Sequence, residues 1–110
     1  MMFSVILLPQ AERDLDQIIG WIKNRSPQGA STWFQRWLEV LELLERSPLN
    51  CGLAPEDEDH DQVIRQVLFK TRRGRPYRAL FTIRSESVYV LHIRGPGQRR
   101  LRPSEFDNPS

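Results

Sequence analysis

The sequence has 110 residues, of which 39% are hydrophobic and 27% charged, values typical of one globular domain rather than of a disordered chain. Cys51 is the single cysteine, which excludes an internal disulfide, and no run approaches the roughly 20 apolar residues of a membrane-spanning helix. Residues 1–62 contain five Lys and Arg and eleven Asp and Glu, which gives a net charge of −6. Residues 63–110 contain eleven Lys and Arg and three Asp and Glu, which gives +8. We expect a cytoplasmic protein whose uneven field can orient an anionic partner.

The N-terminal part predicts a strand followed by two helices. Phe3 to Leu8 is apolar and ends at Pro9, which suits the first turn of a helix. Ser26 and Pro27 are typical of the N-cap and first position of a second helix. The apolar positions recur at helical spacing in both segments: Ala11, Leu15, Ile18, Ile19 and Ile22, then Ala30, Trp33, Phe34, Trp37, Leu41 and Leu44. The short connection between the segments predicts an antiparallel helical hairpin.

Residues 47–62 form a loop with an acidic run from Glu56 to Asp61. Consecutive carboxylates point in different directions, and neither the spacing nor the glycine of a calcium loop is present. We therefore expect a solvated loop and no metal site.

Three further strands are expected, at Val63 to Lys70, Tyr77 to Arg84 and Val88 to Arg94, joined as an antiparallel meander. The chain is thus predicted to be an α+β protein with the helical hairpin packed on one face of the sheet. Residues 1–101 form the expected single domain, and residues 102–110, rich in Pro and polar residues, form an expected loose tail.

Alternation along the last two strands sorts their side chains into two faces. We expect one face to pack on the helices, with Ala79, Phe81, Ile83, Tyr89, Leu91 and Ile93. A three-residue turn, Ser85 to Ser87, would place Arg78 opposite Arg94 and Leu80 opposite His92 on the other face. Like charges that face each other across a sheet repel, and an anion between them would remove the conflict. Arg78 and Arg94 are therefore candidates for phosphate binding, unless both splay into solvent.

A histidine and a basic turn complete the candidate site. His92 near two guanidiniums could act as a base towards a ribose 2′-hydroxyl, with Arg78 and Arg94 stabilising the developing charge, although a structural role is the simpler interpretation. Candidate nucleic-acid contacts surround the turn after the first meander strand and continue past the last strand: Lys70, Arg72, Arg73, Arg75 and Arg99.

The element order and three segments resemble the RelE/ParE superfamily of toxins from type II toxin–antitoxin systems. The segments are 5–15 (VILLPQAERDL), 74–83 (GRPYRALFTI) and 88–95 (VYVLHIRG). The Tyr-Arg pair that enters the central strand, Tyr77 and Arg78, is the most specific part. The resemblance spans about residues 3 to 100.

This resemblance implies a toxin without a cofactor that forms a hetero-oligomer with a cognate antitoxin. RelE-like members cut mRNA on the ribosome without a metal, and Arg78 matches their strand arginine, while Arg94 or Arg99 matches the later one. ParE-like members poison DNA gyrase. Here Arg65 and Lys70 stand in place of the RelE lysine pair, and Phe106 is the only aromatic residue after the last strand. These departures favour a gyrase-directed or otherwise non-nucleolytic inhibitor over the endoribonuclease. A nucleic-acid-binding module or an inactive relative is the remaining alternative.

Overall fold

A computed structural model describes residues 2–106 of the chain. It is an α+β protein, as predicted, in which one helical hairpin packs on one face of a four-stranded sheet. The elements in chain order are β1 (Ser4–Leu7), α1 (Pro9–Arg25), α2 (Pro27–Arg46), β2 (Arg65–Phe69), β3 (Tyr77–Arg84) and β4 (Ser87–Arg94).

Both helices begin where the sequence predicts. Pro9 and Pro27 occupy the first helical turns, where a missing N–H costs nothing. The Ser26 side chain caps α2 by accepting a hydrogen bond from the Gly29 N–H at 2.9 Å. Only one residue, Ser26, separates the helices, so they fold back on each other as a hairpin.

The sheet has the strand order β1-β4-β3-β2. The meander of β2, β3 and β4 is antiparallel, as expected. The first strand joins it at the far edge and runs parallel to β4. A parallel neighbour requires a long crossover, and the helical hairpin belongs to that connection.

A β-bulge at Leu91 changes the faces of β4. Phe81 pairs with Val90 and Leu80 pairs with His92, so Leu91 is the extra residue. The turn before β4 has two residues rather than three, with Ser85 in a left-handed conformation at φ 55°. The shorter turn and the bulge offset each other, and Arg78 still pairs with Arg94.

The assignment of β4 side chains to faces was therefore wrong in its first half. Val88 and Val90, rather than Tyr89 and Leu91, belong to the core beneath the helices. Ile93 belongs to that core as predicted, because it follows the bulge. We call the helix-covered side of the sheet the inner face and the opposite side the outer face.

The outer face carries a second, smaller core that the sequence did not predict. Its buried members come from the loop, the sheet and the chain after β4, and we call them the outer core: Ala54, Ile64, Leu80, Leu91 and Leu101. The main core, between the helices and the inner face, is centred on Trp33, Trp37, Leu44 and Phe81.

The segment after β4 is also more ordered than expected over part of its length. Residues 102–106, which we expected to be loose, include a 3-10 turn at Pro103–Glu105, and Phe106 packs against the outer core. The remaining positions of the predicted tail, residues 107–110, lie outside the described residues.

Candidate functional site

The three candidate catalytic residues share the outer face near the end of the β3–β4 hairpin. Arg78 of β3 lies directly opposite Arg94 of β4, and Leu80 lies opposite His92. This is the arrangement that alternation and register predicted. The surroundings of these side chains differ from the prediction, because two other segments cover the face.

An anion does lie beside Arg78, and the protein itself supplies it. The two terminal nitrogens of Arg78 each donate to one oxygen of Glu56 at 2.8 Å, and Nη1 also donates to Gln66 Oε1 at 3.0 Å. Glu56 is only 2% exposed. A paired fork of this kind is among the stronger hydrogen-bonded contacts in proteins. The like-charge conflict predicted for Arg78 and Arg94 is thus relieved by a carboxylate of the acidic loop.

Glu56 is bound tightly enough to remain ionised. Burial by itself would raise the pKa of Glu56, but the Arg78 guanidinium and the backbone N–H of Leu101, which donates to Oε2 at 3.0 Å, lower it to about 2. The carboxylate therefore fixes both the central strand and the chain after β4.

Arg94 is held by backbone rather than by a carboxylate. Its Nη2 donates to the carbonyl of Arg99 at 2.9 Å, and within residues 2–106 its buried Nε has no hydrogen-bond partner. Burial lowers the pKa of Arg94, and the positive charges of Arg78 and Arg99 lower it further, against the opposing effect of Asp14 and Glu105. Of the two opposed arginines, Arg78 has a carboxylate partner, and Arg94 has none among the described residues.

His92 is enclosed on all sides. It is 5% exposed, its Nε2 lies 2.7 Å from the carbonyl oxygen of Glu105, and its Nδ1 lies 3.5 Å from Asp14 Oδ2. The Phe106 ring packs edge-on against the imidazole at 5.2 Å between centroids. A substrate hydroxyl could reach this histidine only after the segment around Phe106 moved away.

Asp14 connects the site to the first helix. Burial would raise the pKa of Asp14, but contacts with His92, the Ile93 N–H at 3.0 Å and Gln10 hold it below its usual value. This carboxylate anchors α1 to the end of β4 and orients the imidazole. The imidazole is thus held from both of its ring nitrogens.

The remaining candidate cations fall into two groups. Arg99 is exposed, yet it forms a paired contact with Glu105 at 2.8 Å, and this partner raises the pKa of Arg99. The cations of the turn between β2 and β3 are exposed and have no hydrogen bond or ion pair with any described residue: Lys70, Arg72, Arg73 and Arg75.

The acidic loop, predicted to be solvated, contributes carboxylates to the site. Besides Glu56, Asp57 accepts from the Ile64 N–H at 2.8 Å, and Asp59 pairs with Arg100 at 2.8 Å. The one available signal was that the acidic run precedes the basic half of the chain, which permits neutralisation within the molecule. Across residues 2–106, no three His, Cys, Asp or Glu side chains come together as a metal site.

Comparison with known proteins agrees with the fold and the resemblance. A structure described as the chromosomal ParDE TA system from P. aeruginosa matches with a TM-score of 0.61 and 21% identity, covering 84% of this chain and 95% of that chain, which shows a shared fold. No curated protein matches the sequence. Among the described residues, no helix is long and apolar enough to cross a membrane. The model of the family described as the ParE toxin of type II toxin-antitoxin systems, parDE, matches residues 5–99. The chain therefore belongs to this toxin family, within the RelE/ParE superfamily.

Proposed function

We propose that this toxin arrests growth by acting on DNA gyrase in the cytoplasm, without cutting RNA. The observation that supports this most is the state of His92, which is 5% exposed and contacts Glu105 and Asp14 through its two ring nitrogens. A general base must reach the proton that it removes. Arg78, which would stabilise charge on a scissile phosphate, is already paired with Glu56.

We further propose that a cognate antitoxin binds the chain as a hetero-oligomer, since the structural neighbour is described as a toxin–antitoxin system. Both helices expose large apolar side chains that a protein partner could cover, among them Trp21 at 56% and Leu38 at 40%. A groove of about 440 Å³ adjoins Trp21 between α1 and the end of β4. Exposed apolar surface of this kind commonly marks protein contacts.

A ribosome-dependent mRNA endoribonuclease remains the second candidate. One observation favours it: Arg78 and Arg94 do lie opposite each other on one face. For this activity, Glu56 would have to release Arg78 and the segment carrying Phe106 would have to uncover His92.

Induction of the full chain in a bacterial host, with and without the adjacent antitoxin gene, tests the proposal. Primer extension on cellular mRNA and an SOS reporter are followed in parallel. We expect growth arrest with SOS induction, no codon-phased cuts, and relief by the antitoxin. Purified chain should also stabilise cleaved DNA in a reaction with gyrase. Codon-phased cuts without SOS induction would replace gyrase with the ribosome, and unimpaired growth would contradict the toxin assignment.

A further inference from the structure

Unpaired positive charge is concentrated in one turn of the molecule. Lys70, Arg72, Arg73 and Arg75 are exposed and contact no acidic or carbonyl group within residues 2–106. Five other arginines of the basic half are bound internally: Arg65 to the Cys51 carbonyl, Arg78 to Glu56, Arg94 to the Arg99 carbonyl, Arg99 to Glu105 and Arg100 to Asp59. We call residues 70–75 the basic turn. It carries the charge that the fold leaves available to a partner.

The basic turn borders concave surfaces on both sides. One, of about 590 Å³, lies between the turn and the start of α2 and presents hydroxyl, amide and guanidinium groups from Ser26, Gln28, Thr32, Thr71, Arg72 and Arg73. The other, of about 200 Å³, includes Arg75 and Arg78. No acidic residue lines either surface. A chain of negative charges could therefore pass over the turn without meeting a carboxylate in these concavities.

The chemistry of the lining distinguishes between kinds of polyanion. Single-stranded nucleic acid is usually held by aromatic side chains on which bases stack. Neither concavity contains an aromatic residue, and the nearby Trp33 is only 2% exposed. Arginine forks and hydroxyl groups instead match the phosphate oxygens of a duplex, which proteins contact without reading sequence.

We propose that the basic turn is a docking surface for the phosphate backbone of duplex DNA. The inference extends the proposed function, because it adds a DNA contact made by the toxin itself to an action on gyrase. Its biological role rests on that function, but the binding does not. Each phosphate neutralised on duplex DNA adds about 0.9 to the slope of log affinity against log salt concentration. If this turn contacts up to four phosphates, the slope should have a magnitude of roughly 2 to 4, and the binding should be weak and non-specific.

Fluorescence anisotropy of the full chain with a labelled duplex of about two helical turns tests this, with NaCl varied from about 50 to 200 mM. We expect Arg72→Gln with Arg73→Gln to reduce the slope by about 2 and to weaken binding roughly tenfold or more at the lowest salt. The matched control, Arg13→Gln with Lys23→Gln, removes the same charge from exposed positions on α1 and should leave the slope unchanged. All four positions are exposed, so both variants should keep the wild-type melting temperature.

Three results would overturn the inference: no salt-dependent binding by the wild type, equal slopes for the two double variants, or tighter binding of single-stranded RNA than of duplex under the same conditions. The gyrase assay separates this failure from failure of the proposed function. If gyrase is poisoned but the two double variants have equal salt slopes, only the DNA-docking surface is rejected. If the slope depends on Arg72 and Arg73 but gyrase is not poisoned, only the gyrase target is rejected.

Discussion

Among single residues, the Glu56–Arg78 ion pair differs most from what the sequence suggested. The side chain of Arg78 is 19% exposed and that of Glu56 is 1% exposed, so neither charge can rely on water if its partner is lost. Removal of one member of a buried pair is costly because the other charge is left unpaired. Replacement of Arg78 should therefore cost much more stability than replacement of an exposed arginine.

Arg78→Ala should lower the free energy of unfolding by about 3–5 kcal/mol, because Glu56 would remain buried without a counter-charge. Urea denaturation followed by circular dichroism measures this. Arg72→Ala, an exposed arginine six residues earlier, serves as the control and should change stability by less than about 0.5 kcal/mol. Similar stabilities for both variants would show that the ion pair contributes little. Loss of toxicity in Arg78→Ala indicates a role of Arg78 at the target only if the variant is still folded.

Glu56→Gln should make the free energy of unfolding less dependent on acid pH. The pKa of Glu56 is lowered from 4.5 to about 2, so its stabilising effect is present above pH 4.5 and is lost as the pH falls towards 2. At neutral pH the free energy of unfolding of the wild type should exceed that of Glu56→Gln by about 3 kcal/mol. This difference should shrink as the pH falls from 4.5 towards 2. Denaturation at a series of pH values measures it, with Glu58→Gln, an exposed neighbour, as control. A difference that stays constant with pH would contradict the ionised pair.

The sequence predicted the positions of these residues only where neighbouring residues of the chain determine them. Alternation and register are local, and they correctly placed Arg78 opposite Arg94. The partner of Arg78 is 22 positions away along the chain, in a loop with no periodic pattern. Because no local pattern relates Glu56 to β3, the acidic run was predicted to be solvated and the anion beside Arg78 could not be identified from the sequence.

At the scale of elements, β4 shows how two departures from a regular hairpin can cancel. The predicted three-residue turn has two residues, which shifts the register by one, and the bulge at Leu91 shifts it back. A bulge has little signature where residues 88–91 are Val, Tyr, Val and Leu, all of which suit either face. The helices were easier to predict, because proline, an N-cap serine and two apolar stripes mark them independently.

Leu101 is one of the residues that attach the segment after β4 to the sheet, and it is 3% exposed and belongs to the outer core. Leu101→Ala should destabilise the protein by about 2–4 kcal/mol, since it removes buried methyl groups and leaves a cavity. Thermal or urea unfolding measures the change. Leu49→Ala provides the control at a leucine that is 62% exposed, and a comparably small effect at Leu101 would indicate that the outer core contributes little to stability.

For the whole molecule, the acidic and basic parts of the sequence are partly paired with each other in space. The loop at residues 55–59 supplies carboxylates to Arg78 and Arg100, and Glu105 supplies one to Arg99. Three arginines of the C-terminal half thus have a carboxylate partner within the fold, two of them from the acidic loop, whereas the four cations of the basic turn have none among the described residues. The uneven charge suggested an anionic partner outside the chain, whereas the carboxylate that binds Arg78 belongs to the chain itself.

The two cores should unfold as one cooperative unit, because Leu80 and Phe81 are consecutive residues of β3 that belong to the outer and main cores. Native-state hydrogen exchange tests this. The N–H of Leu101, bound to Glu56, and the N–H of Ile64, bound to Asp57, should exchange with the free energy of global unfolding. Exchange of the Leu101 amide through a much smaller opening, with β3 still protected, would identify the outer face as a separate unit able to uncover His92.

The bulge at Leu91 also matters for comparing this chain with its relatives. Phe81 pairs with Val90 and Leu80 pairs with His92, so Leu91 is an extra residue in the strand. A family member that lacks a residue at this position could form a regular strand and still keep the equivalent of Val90 on the inner face and that of Arg94 on the outer face. An alignment that places such a gap in the tight turn at residues 85–86 would exchange the two faces along half of β4. Side chains transferred between relatives at residues 87–91 would then be assigned to the wrong side of the sheet, whereas Arg94, which follows the bulge, would keep its side.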